Sequence, residues 1–207
     1  MLGIIQAAGW PIWPLLACSI IALALMLERC YSLRHEKVVP TKLLDEVLAM
    51  PNKSLPSPES IEHMKAHSAL GEVLATGLLA MQQNPLCSES DFRAQVQAAG
   101  RRVGAKLEKY LSALGSIASI APLLGLFGTV VGMIEIFGAQ TPGTGNPSQL
   151  AHGISVALYN TAFGLVIAIP SLVAWRYFRA QVDQFVLELE IGSERFARHF
   201  FPGRAGK

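Results

Sequence analysis

The sequence predicts an all-α membrane protein with three transmembrane helices that extend beyond the bilayer into a helical bundle. Composition is the first reason. Hydrophobic residues make up 51% of the 207 positions and charged residues 15%, against a usual quarter charged, and mean hydropathy is +0.38. Charge distribution is the second. No Lys, Arg, Asp or Glu occurs from Met1 to Leu27, and Glu135 alone occurs from Leu111 to Trp175. The other 14 acidic residues and all 17 Lys/Arg fall in two blocks, Glu28 to Tyr110 with 11 cations and Arg176 to Lys207 with 6. Helical periodicity running out of the apolar stretches into those blocks is the third. Disorder and coiled-coil rods need charge this chain lacks. A net charge of +2 does not point to nucleic acid. Three cysteines without metal spacing exclude a disulfide scaffold and a Cys-type zinc module.

Crossing about 30 Å of hydrocarbon takes roughly 20 helical residues. Trp10 to Leu27 is a slightly short first span, with Trp10 and Trp13 at an interfacial belt. It follows no basic n-region and precedes no A-x-A-like site, so it reads as a retained anchor. Cytoplasmic segments retain Lys and Arg. Residues 1–9 and 138–152 carry none and so face outward, while 29–110 and 176–207 face the cytoplasm. Arg29, Arg34 and Lys37 fix that topology rather than bind a particular lipid.

Within the first charged block, Leu33, Leu43, Leu44, Val47 and Leu48 form a loose apolar stripe ending at Met50-Pro51. Pro51, Pro56 and Pro58 punctuate a turn. Ile61, Met64, Leu70, Val73, Leu74, Leu78 and Met81 recur at helical spacing, and Asn84-Pro85 closes that helix. Ser88 or Ser90 caps the next one. Its stripe of Phe92, Val96, Ala99, Val103, Leu107, Leu111 and Leu114 meets no breaker before Pro122. A helix from 90 to 137 would be roughly 70 Å long. The second span is 111–137, with Pro122 inside it, the third 153–175, with Trp175 and Tyr177 at its end. The third continues through Val182, Phe185, Val186, Leu189 and Phe196 into a C-terminal helix over 176–207.

Lipid supplies no hydrophobic drive between helices, so transmembrane helices approach closely through small residues. Gly125, Gly128, Thr129 and Gly132 make such a face in the second span. Gly153, Ala157, Thr161, Gly164 and Ala168 do so in the third. The glycines and alanines need do no more than pack. A Thr hydroxyl can satisfy itself on its own helix backbone; the Asn160 amide does so less easily and should face protein or water.

The segment from Ala121 to Ile134, APLLGLFGTVVGMI, resembles the second-span signature of the ExbB/TolQ/MotA proton-channel family. Gly153 to Pro170, GISVALYNTAFGLVIAIP, resembles its third-span signature, and Pro14-Leu-Leu with Glu28-Arg29 fits its first span. The likeness runs along the whole chain and is nearer to ExbB and TolQ than to the four-span flagellar stators. It implies a periplasmic N-terminus (1–28 with the first span), a periplasmic loop at 138–152 and a place in the bacterial inner membrane. It further implies a homo-oligomeric, five-fold ring around the single helix of an ExbD- or TolR-like partner bearing an essential Asp. Thr129 and Thr161 would line the proton path, with Asn160 beside them and Gly125, Gly128, Gly132, Gly153, Ala157, Gly164 and Pro170 packing the helices. The implied work is energising a TonB-like transducer for transport across the outer membrane, or TolQ-like maintenance of that membrane.

One position departs from the pattern. The family usually places a Glu where this chain has Val156, which also leaves open a non-conducting scaffold. Glu135 lies at similar depth on the neighbouring span. It either supplies the missing carboxylate or snorkels to the outer headgroups.

Other signals point to no chemistry. His63 and His67 have metal-ligand spacing but no third ligand, His152 borders the third span and could titrate with external pH, and Cys18, Cys30 and Cys87 read as free thiols. Neither Gly125-x-x-Gly128 nor Gly143-Thr-Gly145 is followed by GK[ST]. No enzyme motif, cofactor motif or metal site is expected.

Overall fold

The computed structural model describes residues 9–49, 56–84, 86–138 and 147–201. Met50-Pro51, Pro85 and the Gly143–Gly145 loop lie outside the described residues. Those described form eight helices and no strand: α1 (Ile12–Ser32), α2 (His35–Val38), α3 (Thr41–Leu48), α4 (Pro58–His67), α5 (Ala69–Gln83), α6 (Glu89–Glu108), α7 (Leu111–Gly138) and α8 (Pro147–Phe200). Three stretches are long and apolar enough to cross a membrane: Ile12–Ser32, Glu89–Gly138 and Leu150–Phe200.

The chain divides into two compact units, Met1–Arg29 with Tyr110–Tyr177, and Cys30–Lys109 with Phe178–Lys207. In the first, Leu15 of α1, Ala121 of α7 and Ala168 of α8 form a small buried cluster, with Leu124 and Ile167 against it. Two of the three are alanines, so the backbones come close. A Cβ on Gly164 would stand 2.6 Å from the Ala121 carbonyl oxygen and 3.2 Å from Gly125 Cα. Buried Arg29 pairs with Glu28 and sets its guanidinium 5.1 Å from the Tyr110 ring centre, so the charge does not face hydrocarbon alone. Only 22% of the most apolar window of α1, and 28% of that in each other span, is buried within the chain. The rest needs lipid or other protein around it.

The second unit has an ordinary aromatic core. Phe92 of α6 and Phe196 of α8 are fully buried, with ring centres 5.4 Å apart. Gly77 of α5 makes room for them, since a Cβ there would lie 2.5 Å from Phe196 Cε1. Ion pairs close the edges: Lys106 with Glu72 at 2.7 Å, Arg179 with Glu108 at 3.0 Å, and Arg93 with Glu194 at 2.6 Å.

Local chemistry divides the expected helices more finely than periodicity does. The stretch read as one helix from Ile61 to Met81 breaks at Ser68, whose backbone is extended (φ −155°, ψ 160°). Its hydroxyl accepts from Gly71 N at 2.9 Å and so caps α5. A Cβ on Gly71 would meet the Met64 carbonyl oxygen at 2.1 Å, so the break also depends on that glycine. Of the two serines offered for the next cap, Ser88 takes the role, accepting from Asp91 N at 3.1 Å. The helix expected from 90 to 137 is interrupted by turn residues Lys109 and Tyr110. There Lys109 N reaches back only three residues, to Lys106 O at 3.3 Å. Of the stripe from Leu33 to Leu48, Leu33 falls in the turn after α1 and the other four residues on α3, with Pro40 at the N-cap of α3. At the other end, α8 begins at Pro147, where the missing proline N–H costs nothing at a first helical position. His152 therefore lies on a helix.

Candidate functional site

The facing surfaces of α7 and α8 bring the polar residues of the spans together. A Cβ added at Gly125 would stand 2.7 Å from the Asn160 carbonyl oxygen and 3.0 Å from Thr161 Cα. One at Gly132 would stand 3.0 Å from Ala157 Cβ, and one at Gly153 2.7 Å from Ile136 Cδ1. Gly125, Gly128, Gly132, Gly153, Ala157 and Gly164 thus meet along one seam. Ala168 is buried near its other end, whereas Pro170 is exposed on α8.

Inside the seam, the Thr129 and Thr161 hydroxyls hydrogen-bond to each other across the two helices. Thr129 Oγ1 also reaches the carbonyls of Gly125 at 3.1 Å and Ala157 at 3.3 Å, and Thr161 Oγ1 reaches Gly125 O at 3.3 Å. Each hydroxyl has one proton to donate and two lone pairs. Either threonine can therefore donate to the other while its partner donates to a carbonyl. This arrangement can reverse without moving the backbone. Self-satisfaction on the home helix, expected as the bland alternative for a single Thr, occurs at Thr129 together with the crossing bond.

Asn160 is 1% exposed. A Cβ on Gly128 would come within 2.9 Å of its Cβ, Cγ and Nδ2, so this glycine clears the space the amide occupies. Beside it, a cavity of about 250 Å³ is lined by Glu135 and Gly132 of α7, by His152, Val156 and Asn160 of α8, and by Pro11. Glu135 and Val156, matched by depth in the sequence, line the same space. His152 joins them, which sequence reasoning missed because it placed that residue in a loop. Elsewhere, the His63 and His67 rings stack at 4.0 Å, and no group of three or more metal-ligating residues occurs among the described residues.

Three apolar helices, with two hydroxyls and an amide enclosed between the second and third spans, define a membrane subunit with a polar track in an otherwise apolar seam. The chain belongs to the MotA/TolQ/ExbB proton channel family, whose pattern its residues 65–191 match. It is 29% identical over 186 residues to an ExbB-like biopolymer transport protein (ExbB-like 3) of Synechocystis sp., covering 88% of this chain and 87% of that one. It is 31% identical over 191 residues to the biopolymer transport protein exbB1 of Vibrio cholerae serotype O1, covering 89% and 82%. The Tol-Pal system protein TolQ of Pseudomonas aeruginosa is 39% identical over 82 residues, or 39% of this chain and 36% of that protein. The function is of the general ExbB/TolQ type, in a family of proton-channel subunits.

Proposed function

We propose that this protein is the ring-forming subunit of an inner-membrane complex that converts the proton-motive force into work on a TonB-like transducer. The Thr129–Thr161 hydroxyl pair carries the reading. It supplies reorientable donors within an apolar seam, which a proton moving to and from a partner's carboxylate needs. Each charge crossing about 100 mV releases roughly 2.3 kcal/mol, so a few protons suffice to turn or rock the ring against a central helix. The partner is an ExbD- or TolR-like single-span protein, held in a homo-oligomer of five-fold symmetry. Much of each span's apolar surface is left uncovered within one chain, as such an assembly requires. The N-terminus and the loop before α8 are periplasmic, and the cation-bearing segments cytoplasmic. Some ExbB-named relatives, such as those of Synechocystis and Vibrio cholerae, span most of the chain, whereas the TolQ relative covers 39% of it. That favours import over TolQ-like maintenance of the outer membrane.

One observation favours a second reading. Val156 removes the family's usual carboxylate, as a non-conducting scaffold would allow. Glu135 on the wall of the same cavity answers this by supplying a carboxylate from α7. Proton flux into liposomes holding the complex co-purified with its single-span partner decides between them. Flux that collapses in Thr161→Val supports the motor; a stable ring with no flux in either version leaves the scaffold.

A further inference from the structure

Helix α8 starts early enough to put His152, Val156 and Asn160 at four-residue intervals on one helical face. All three line the cavity that Glu135 enters from α7. At about 250 Å³ the space is several times the roughly 30 Å³ each water occupies in the liquid. Among the described residues, two titratable groups line it, Glu135 from α7 and His152 from α8; Pro11 and Gly9, which wall it from the segment leading into α1, bring no charge. No Lys, Arg or other acid occurs between Leu111 and Trp175 to neutralise either. The floor is the buried Asn160 amide, next in sequence to Thr161.

We propose that this cavity is a water-filled proton-entry vestibule, in which His152 takes protons from the external solvent and passes them to Glu135. The proposal rests on the motor reading and deepens it. Imidazole suits the role because its two nitrogens can bind a proton on one side and release it on the other. The step balances as plain proton transfer: an outer-solvent proton bonds to one ring nitrogen, the proton on the other leaves, and the Glu135 carboxylate accepts it through cavity water. From there Asn160 and the Thr129–Thr161 hydroxyls continue the polar track inward.

The test uses the full chain with its single-span partner in oriented liposomes. His152→Ala should slow inward flux at neutral external pH by about a hundredfold, the lower end for a positioned proton-transfer group. Free imidazole added outside should restore it, because the emptied cavity admits that ring. Flux in His152→Ala equal to the unmodified complex, or reduced but indifferent to imidazole, overturns the shuttle. A second readout does not need conduction: Glu135→Cys and Val156→Cys, made with the native cysteines changed to Ser, should react with a membrane-impermeant thiol reagent added outside. Failure of both to react overturns the vestibule. No flux in the unmodified complex overturns the motor reading and, with it, the entry role. Flux without rescue overturns this proposal alone.

Discussion

Thr129 and Thr161 sit thirty-two positions apart in sequence and share one hydrogen bond. Valine keeps the branched outline of threonine but lacks its hydroxyl, so Thr161→Val removes the hydroxyl's hydrogen bonds, and Thr161→Ser is needed beside it to separate packing from proton handling. On the proposed function, the expected result is an assembly of unchanged size whose proton-dependent flux is lost, while Thr161→Ser, which keeps the hydroxyl, retains most of it. Equal flux in the Val and Ser versions would remove these hydroxyls from the path. These residues were legible in the sequence because an isolated hydroxyl among apolar residues stands out, and the spacing of small residues puts it on the packed face. Their mutual bond was not, because it depends on how deeply Gly125 lets the α8 backbone approach. His152 was still less legible. Its role depends on where α8 begins, and charge counting marks the limit of an apolar run, not the first turn of a helix.

Among the elements, glycine has two opposite meanings, which give a matched prediction. In α7 and α8 the glycines are contacts: a Cβ on Gly164 would press on backbone atoms of α7 at 2.6 Å, and backbone cannot swing aside as a side-chain end can. Gly164→Val should therefore cost about 1–3 kcal/mol through overpacking, lowering the thermal midpoint of the purified protein. Gly100 of α6, in the second unit, has nothing within 4 Å of its added Cβ. Gly100→Ala should stabilise by about 0.5–1 kcal/mol, because alanine loses less backbone freedom in a helix interior. Differential scanning of both variants in one detergent checks the contrast; a stabilising Gly164→Val would deny the close α7–α8 approach. The Ser68 break shows what periodicity overlooks. Apolar spacing from Ile61 to Met81 passes across the interruption, whereas a serine three residues before a glycine was the available cue to a cap. Ser68→Ala should cost about 1 kcal/mol, read as a lower midpoint of helix loss by circular dichroism.

At the scale of the whole molecule, the two units obey different rules and should answer pH differently. Most of the chain's ionisable side chains belong to the second unit. There Glu194 is held below the usual carboxylate range, first by its hydrogen bond from Arg198 and then by Arg93, with burial opposing. Arg93 is raised in turn, chiefly by Glu194. A carboxylate whose folded value is depressed stabilises fully above its unfolded value, near 4.3 for Glu. That contribution is lost as pH falls through the lower, folded value. The groups are solvent-facing, at 35% and 41% side-chain exposure, so screening keeps the worth of the cluster to about 0.3–1 kcal/mol. Glu194→Gln should accordingly lower the unfolding midpoint of the second unit slightly at pH 7. The gap from the unmodified protein should close as pH is taken below the ordinary carboxylate range, and narrow in high salt. Amide hydrogen exchange along α6 reports on this unit, because the Phe92–Phe196 contact holds that helix in it. A gap that persisted in acid would assign the loss to altered packing around α6 and α8. The cavity lined by Glu135 and His152 lies in the first unit and Glu194 in the second, so variants of the two should separate. Glu194→Gln should leave flux unchanged, and His152→Ala should leave the unfolding midpoint of the second unit where it was.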